Sequence, residues 1–526
     1  MASLRSLTTT ATLLCACVHA ISPAALSGKD ADQVTSIPGF EDEFASLGFE
    51  VYSGYLDVTT PAETTGGYDA LKIHYELHTC AKGKNCPLAI WHQGGPGGSA
   101  VYGAWTEMGP FQLMAQGPVF NNKTAWNKAA HMLYLESPAG STIAGSETGF
   151  SSCSKDGEVS RVCSWDDKTQ AVAYAHTIEA FLSKFPEYAS SELFLTGESY
   201  AGQYIPNIAY HVINSNYSFT ITGVAVGNGC WGGTETSIQC NGPHAEKNDI
   251  DIYYGKGMLP SKMYDAIQKE CDWEAIAQAD DDQDDGAPLP SASAACNKLL
   301  EQADDAVGPH NIYNVYDDCP LSAEWHAANP RVSQWALKRF ARSRPTHSRA
   351  KLDEDLKAEF GLADAAAGFP WNCESDPALD AYFTRDDVQK ALHLEGAGSR
   401  FDYDLSGPAS QLLWPDIVKK MRVLIYNGDA DMCVPYKGNE ELVTGLESGS
   451  ITEAEAWRPW FRASDDSNNY APAGYVTTYS VSDKAYESKG PDFAFLTIRL
   501  AGHMVPTFQP EAALTFVSNF VSGSAY

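Results

Sequence analysis

Seven short apolar runs, each followed by residues typical of turns or helices, dominate the pattern of the chain. They are Leu71–Leu77, Leu88–His92, Met132–Leu135, Leu193–Thr196, Thr222–Val226, Val423–Tyr426 and Phe493–Ile498. Near-continuous apolar runs of this length are typical of strands that are buried on both faces of a sheet. The pattern therefore predicts an α/β fold with a mostly parallel central sheet.

The spacing of the apolar residues changes after one of these runs. After Leu193–Thr196 the apolar residues recur at helical spacing, and Pro206 is placed in the first turn of the predicted helix, where proline is tolerated. The turn between strand and helix reads GESYA over residues 197–201. A serine in a sharp strand-to-helix turn has its oxygen exposed, and small neighbours permit the turn. Ser199 is therefore a candidate nucleophile.

Two later apolar runs end in candidate partners for this serine. Serine is a weak nucleophile unless a base takes its proton and a carboxylate orients that base. In an α/β site of this kind the partners follow the serine in the order aspartate, histidine. Val423–Tyr426 leads to Asp429 and Asp431, and Phe493–Ile498 leads to His503. On the residues alone, either aspartate could orient the histidine.

A glycine loop follows the strand Leu88–His92. Residues 93–98 read QGGPGG. An oxyanion needs backbone N–H donors with no side chain in the way, and such a loop supplies them. A flexible loop without function is one alternative. A phosphate-binding loop is another, but no Gly-Lys-Ser/Thr follows, which argues against it.

Charge and the N-terminus limit the partners and the compartment. The chain has 526 residues, a formal net charge of −31 and a pI of about 4.7, which argues against binding to nucleic acid or anionic membranes. Residues 1–20 combine Arg5, a short apolar stretch and small residues up to Ala20, which predicts a signal peptide. No later apolar run is long enough to span a bilayer. We expect secretion, or delivery to a vacuole or lysosome.

The cysteines also indicate an oxidising compartment. Of the thirteen, two leave with residues 1–20, and the remaining eleven are an odd number, so at least one thiol stays unpaired. Near neighbours such as Cys80 and Cys86, or Cys153 and Cys163, suit disulfides that staple loops. Cys433 is our candidate for the unpaired thiol. Structural zinc is not expected, because no Cys-x-x-Cys pair occurs.

The stretch 231–372 interrupts the succession of strands and helices. It holds four cysteines, an acidic run at 280–285 and a linker-like segment. We interpret it as a disulfide-containing cap inserted into a core of residues 21–230 and 373–526. The acidic run lacks the glutamate of a calcium-binding EF-hand loop, so we interpret it as a solvated loop.

Two triplets match the acceptor sequence for N-glycosylation. They begin at Asn122 and Asn216. In a chain with a signal peptide, such triplets predict glycans on the surface. We therefore expect a glycoprotein.

Nine segments, spread in the same order over nearly the whole chain, resemble the serine carboxypeptidase family of α/β-hydrolases. They are Trp91–Gly97, Glu107–Pro110, Met132–Gly140, Thr196–Pro206, Val226–Gly229, Asn311–Tyr313, Asp387–His393, Asn427–Asp431 and Gly502–Pro506. The resemblance implies an enzyme that releases C-terminal amino acids from peptides and proteins through an acyl-serine intermediate. It implies no metal or other cofactor.

The resemblance also implies roles for the matching positions. Ser199 would be the nucleophile, His503 the general base, and Asp431 rather than Asp429 the residue that orients it. The N–H groups of Gly95 and Tyr200 would form the oxyanion hole, and Met504 would line the substrate pocket. The substrate carboxylate would be bound by Gln93, Gly94, Glu107 and Glu198. Two ionised glutamates would repel a substrate carboxylate, but burial and like charge raise a carboxyl pKa, so the cluster can share a proton; this predicts activity favouring acidic pH.

Two positions depart from the family pattern. Gln93 stands where the family has asparagine, and Gly98 stands where it has a cysteine that is usually bridged to the stretch after His393. No cysteine occurs between Cys373 and Cys433, so both ends of that bridge are missing. We therefore expect the oxyanion loop to be held by packing alone.

Three other functions are compatible with parts of the pattern. An acyltransferase would use the same triad with a different acceptor. An esterase or lipase would not recognise a carboxylate, and the glutamates at 107 and 198 argue against it. A binding protein without catalysis is disfavoured because no triad position is substituted.

Overall fold

The computed structural model describes residues 28–114, 117–143, 148–279, 288–308, 310–317, 375–462 and 471–526. The predicted signal peptide, the acidic run at 280–285, Cys319 and Cys373 lie outside these ranges. The predictions that rest on them therefore stay predictions.

Within the described ranges, twelve strands form one sheet and six others pair into two-stranded sheets. In chain order, β1 to β18 are Val51–Thr59, Ala70–His78, Leu88–His92, Phe111–Met114, Gly117–Phe120, His131–Leu135, Ser152–Lys155, Glu158–Val159, Val162–Asp166, Leu193–Glu198, Gly223–Gly227, Gly232–Gly233, Ile238–Gln239, Arg400–Asp404, Arg422–Gly428, Ile451–Trp460, Gly474–Val481 and Phe493–Ile498.

The α-helices of the described residues are numbered in the same way. In chain order, α1 to α14 are Glu41–Phe44, Ala100–Thr106, Asp167–Lys184, Ala201–Ile213, Ala245–Gly255, Ser261–Glu270, Trp273–Gln278, Ala294–Val307, Ser375–Phe383, Asp386–Ala391, Trp414–Ile417, Tyr436–Gly445, Val505–Phe508 and Pro510–Ser522.

The large sheet has a parallel centre and antiparallel flanks. Its order is β16-β17-β18-β15-β11-β10-β3-β6-β2-β7-β8, with β1 paired to β2. The strands from β18 to β6 run parallel and are buried along their whole length. These six strands and β2 are the seven apolar runs of the sequence. The predicted α/β fold with a mostly parallel centre is confirmed.

Helices cover both faces of the sheet, which explains why its strands read as continuous apolar runs. Successive side chains of a strand point to opposite faces. Ile90 packs in the core that contains residues of α3 and α4, whereas Trp91 packs in the core that contains residues of α2 and α14. The carboxyl ends of the parallel strands meet at one edge, where sites of α/β proteins form.

Helices α5 to α8 lie between β11 and β14 in the chain and pack around a separate apolar cluster, which also includes Met432. Ile250, Ile267 and Leu300 are buried in this cluster. The arrangement is compatible with an inserted cap. The boundaries 231–372 stay a prediction, because residues 318–374 lie outside the described ranges.

Four disulfides join cysteines of the described residues that are near in sequence. They are Cys80–Cys86, Cys153–Cys163, Cys230–Cys240 and Cys271–Cys296. The first two are pairs that the sequence suggests, and the last lies in the predicted cap. Cys433 belongs to none of the four.

Candidate active site

Ser199 lies in the turn between β10 and α4. Its φ is +61°, in the left-handed region that side chains other than glycine rarely adopt. Its N–H donates to the carbonyl of Gly227 (3.0 Å), and its carbonyl accepts from the N–H groups of Gly202 (2.9 Å) and Cys230 (3.0 Å). These bonds stabilise a turn that presents the hydroxyl at the carboxyl edge of the sheet.

The glycine loop after β3 passes directly beside the serine. A Cβ added to Gly94 would lie 2.4 Å from the Cβ of Ser199, 2.8 Å from its Oγ and 2.7 Å from the backbone nitrogen of Tyr200. A side chain at Gly94 would therefore occupy the space of the nucleophile. The loop continues through Gly95, whose φ of +118° requires glycine. The structure thus brings the loop that contains Gly95 next to the serine and the backbone nitrogen of Tyr200.

His503 and Asp431 meet at the same edge, after β18 and β15. His503 Nδ1 lies 2.7 Å from Asp431 Oδ2, and both side chains are buried. Asp431 also accepts hydrogen bonds from the Asn228 side chain (2.8 Å) and from the backbone N–H groups of Cys433 (2.9 Å) and Val434 (3.1 Å). The carboxylate is fixed from several sides, which leaves Nε2 of the imidazole to exchange a proton.

Asp429, the other candidate aspartate, contacts a different segment. Its Oδ1 accepts from the N–H of Leu500 (2.8 Å) and lies 3.7 Å from Nζ of Lys256. It stabilises the chain that leads to His503. The geometry therefore favours Asp431 as the partner of the histidine, as the family resemblance implies.

A segment of the predicted cap contacts both partner loops. The carbonyl of Ile312 accepts from the N–H of Met432 (2.7 Å), and the carbonyl of Tyr313 accepts from the N–H of His503 (2.7 Å). The Tyr313 ring packs against the imidazole, with 5.2 Å between ring centroids. Sequence reasoning assigned no role to this segment or to Asn228, although both lie in stretches that resemble the family.

The half-buried Gln93 and the buried Glu107 and Glu198 form a cluster beside the glycine loop. Nε2 of Gln93 donates to Oε1 of Glu198 (2.8 Å) and to Oε1 of Glu107 (3.1 Å). Its Oε1 accepts from the indole N–H of Trp91 (2.9 Å). The indole determines which end of the amide faces the glutamates. The longer side chain thus keeps an amide donor in the cluster where the family has asparagine.

Burial sets the protonation of the two glutamates. Each is only 1% exposed. Burial raises the pKa of Glu107 to about 7, although a hydrogen bond from Gln93 opposes the shift. Burial, together with the charge of Glu107, raises the pKa of Glu198 well above its ordinary value. The cluster therefore retains a proton at acidic pH, and a protonated carboxyl group can donate a hydrogen bond to an incoming carboxylate.

Hydrogen bonds hold the glycine loop, so the prediction of packing alone was wrong. The N–H of Gly98 donates to the carbonyl of Gly94, the N–H of Thr142 donates to the carbonyl of Gly97, and the N–H of Ser99 donates to the carbonyl of Thr142. The donor–acceptor distance is 2.9 Å in all three bonds. A Cβ at Gly98 would lie 2.9 Å from the carbonyl oxygen of Gly94. The absence of a side chain at Gly98 permits this tight turn, which backbone pairing with the segment after β6 then stabilises.

Three further predicted positions have defined surroundings. Met504 follows His503 and is buried in the core cluster that includes α2. Asn122 and Asn216 are exposed, in the turn after β5 and in the loop after α4. Their roles in the substrate pocket and in glycosylation stay predictions.

The sheet order and the serine turn at its carboxyl edge define an α/β-hydrolase. Within that class the chain belongs to the serine carboxypeptidase family, whose sequence profile matches residues 38–523. The protein is a serine-type carboxypeptidase, a peptidase that acts on peptides and proteins.

Individual relatives agree with this assignment. The chain is 30% identical to the lysosomal protective protein of Mus musculus and 28% identical to serine carboxypeptidase ctsa-4.1 of Caenorhabditis elegans, with 95% of each chain covered in both cases. The crystal structure of Kex1(delta)p, a prohormone-processing carboxypeptidase from Saccharomyces cerevisiae, matches with a TM-score of 0.59 at 17% identity. The match covers 94% of this chain and 96% of that one, and it shows the same fold.

Proposed function

We propose that Ser199 attacks the C-terminal peptide bond of a peptide or protein and is acylated. His503 takes the proton of the hydroxyl and passes it to the leaving amine, while Asp431 orients the imidazole and stabilises its charged form. The N–H groups of Gly95 and Tyr200 bind the oxyanion. Water then hydrolyses the acyl-enzyme, again with His503 as the base.

The buried cluster beside the serine turn is the observation that carries the proposal. The amide of Gln93, the N–H of Gly94 and a protonated carboxyl group of Glu107 or Glu198 are donors suited to a substrate carboxylate. The two glutamates are each 1% exposed, and a polar group buried this deeply is expensive to leave unpaired. The cluster supports recognition of a free C-terminus and activity favouring acidic pH.

Release of free amino acids from N-blocked dipeptides at pH 5 tests the proposal. Ser199→Ala should lower kcat by at least about 10⁴-fold, whereas the exposed Ser190→Ala serves as the matched control and should leave kcat unchanged. A Ser199→Ala variant that kept its activity would exclude this nucleophile. Product analysis with an added alcohol separates hydrolysis from the alternative of acyl transfer, which would yield an ester instead of a free acid.

We also propose that the protein follows the secretory route and acts outside the cell or in a vacuole or lysosome. The four disulfides and the exposed sequons support this route. Within the described ranges, no helix combines the length and hydropathy that crossing a membrane requires. N-terminal sequencing should find a chain beginning at Ile21, and glycosidase treatment should change its mobility unless Asn122 and Asn216 are replaced. An unprocessed, unglycosylated cytosolic product would contradict the proposal.

A further inference from the structure

A cluster of aromatic side chains lies directly behind the serine turn and the glycine loop. It consists of Tyr200, Tyr204, Phe401 and Tyr403, gathered around the buried carboxylate of Asp167; we call it the tyrosine cluster. The ring centroids of Tyr200 and Tyr204 are 5.0 Å apart, and those of Tyr204 and Tyr403 are 5.8 Å apart. The cluster contains none of the predicted catalytic side chains, although the backbone of Tyr200 supplies a predicted oxyanion donor.

Two members of the tyrosine cluster contact the glycine loop at Gly97. The backbone N–H of Gly97 donates to the hydroxyl of Tyr204 (3.1 Å), which is buried. A Cβ on Gly97 would lie 2.5 Å from two carbon atoms of the Phe401 ring, so the ring packs directly against the loop backbone. Gly97 is two residues from Gly95, and a shift of one moves the other.

The same cluster fixes the residue that follows the nucleophile. The hydroxyl of Tyr200 donates to Oδ1 of Asp167 (2.8 Å), and that of Tyr403 donates to the same oxygen (3.0 Å). The N–H of Gly407 donates to Oδ2 (2.8 Å). Because the side chain of Tyr200 is held at both its ring and its hydroxyl, its backbone N–H has little freedom to move.

The tyrosine cluster rests on a strand pair that a disulfide joins to the main sheet. Phe401 and Tyr403 belong to β14, which runs parallel to β9 with Phe401 opposite Cys163 and Tyr403 opposite Trp165. Cys163 is bonded to Cys153 in β7, a strand of the large sheet. The support for the loop therefore extends to the core of the fold.

We propose that Tyr204 and Phe401 are positioning residues that set the geometry of the oxyanion hole. They hold the loop at Gly97, next to Gly98, the position at which the family has the cysteine of a bridge. The proposal rests on the proposed function, which assigns the oxyanion to the N–H groups of Gly95 and Tyr200. In this chain both donors are aligned through one packed cluster instead of through a covalent bond to the loop.

Tyr204→Phe tests the proposal, because it removes only the hydroxyl that accepts from Gly97. We expect kcat for an N-blocked dipeptide to fall about tenfold with KM unchanged, since the oxyanion charge exists only in the transition state. The rate of inactivation by a serine-directed phosphonate should fall by a similar factor. Phe401→Ala should also lower kcat about tenfold, because loop positions shifted by a fraction of an ångström misalign the donors.

The matched control is Tyr174→Phe, which removes a buried hydroxyl that has no hydrogen-bond partner among the described residues. It should leave kcat, KM and the phosphonate rate unchanged. An unchanged kcat in Tyr204→Phe, with Ser199→Ala inactive, would overturn the inference and leave the proposed function intact. If KM of Tyr204→Phe rose by the same factor as kcat fell, and Tm was lowered, the variant would be generally destabilised. That result would also overturn the inference. Full activity of Ser199→Ala would overturn the proposed function itself.

Discussion

Replacing Glu107 with glutamine separates the shape of the carboxylate cluster from its charge. In the wild-type chain burial raises the pKa of Glu107 to about 7, so its carboxyl group is neutral in acid and ionises as the pH rises through that value. Glu198 retains its proton to higher pH, because burial and the charge of Glu107 both raise its pKa. A substrate carboxylate therefore binds next to a neutral cluster at acidic pH and next to a negatively charged cluster at alkaline pH.

The spacing of the cluster gives the size of the effect. Nε2 of Gln93 lies 2.8 Å from an oxygen of Glu198 and 3.1 Å from an oxygen of Glu107, so a substrate group in contact with the cluster is near both. Two unit charges about 6 Å apart, at an effective dielectric constant of about 20, repel by about 3 kcal/mol. That repulsion weakens binding about 100-fold once Glu107 is fully ionised. With a pKa of about 7, KM should rise about tenfold between pH 6 and pH 8.

The assay compares KM for an N-blocked dipeptide and for its C-terminal amide between pH 5 and pH 8. The wild-type KM should rise with pH for the acid but not for the amide, which carries no charge to repel. In Glu107→Gln the KM for the acid should rise less with pH, because one of the two titrating carboxyl groups of the cluster is gone. The exposed Glu158→Gln is the control and should keep the wild-type profile. An equal rise in Glu107→Gln, or for the amide, would refute the reasoning.

Other substitutions test the nucleophile turn, the triad and the pH dependence of folding. Gly94→Ala should lower kcat at least about 100-fold, because the added Cβ would lie 2.8 Å from Oγ of Ser199. Asp431→Asn should lower kcat about 10⁴-fold, whereas Asp429→Asn, which has no contact with the imidazole, should keep most activity. In thermal denaturation, buried carboxyl groups should contribute a fall in Tm as the pH rises from 5 to 8, against the opposite contribution of His74 and His92, whose pKa burial lowers to about 4. Buried carboxyl groups such as Glu136, whose pKa burial raises to about 7, bind protons in the folded state that the unfolded state has already released.

Each of these tests has its own control. Gly48→Ala introduces a Cβ with no other atom within 4 Å, so it should leave kcat unchanged. Equal losses in the two aspartate variants would contradict the assignment of the histidine partner. Glu136→Gln should remove about 3 kcal/mol of the pH-dependent change in unfolding free energy, and an unchanged slope of Tm against pH would contradict the burial argument.

The central strands could be predicted because both of their faces are buried and each leaves a continuous apolar run. Apart from β2, the flanking strands leave no such signal. Ile451–Trp460 is an edge strand with most of its side chains exposed, so its sequence reads as polar. Helix starts were less certain: α4 begins at Ala201, directly after the serine turn, so Pro206 lies in its second turn and not in the first as predicted. The spacing of apolar residues indicates a helix but not its first residue.

The ordered positions of Ser199, Asp431 and His503 could be predicted because each follows a recognisable strand. The contacts between distant segments could not. The hydrogen bond between Gln93 and Glu198 spans 105 residues, and it depends on parallel pairing that sets Gly197 opposite His92. Such pairing leaves no periodic pattern in the sequence, which is why the change to Gln93 could be noticed but its double contact could not be foreseen.

Binding and folding should depend on the same protons in this protein. A buried carboxyl group is most favourable when neutral, so folding itself favours the protonated cluster that carboxylate recognition requires. Acid also reduces the self-repulsion of a chain with a net charge of −31. A rise towards neutral pH should therefore raise KM, while the buried carboxyl groups contribute a lower Tm. Glu107→Gln tests the common cause: it should weaken both the rise of KM with pH and the contribution of the cluster to the fall in Tm. A weaker rise of KM with an unchanged dependence of Tm on pH would assign the two effects to different groups.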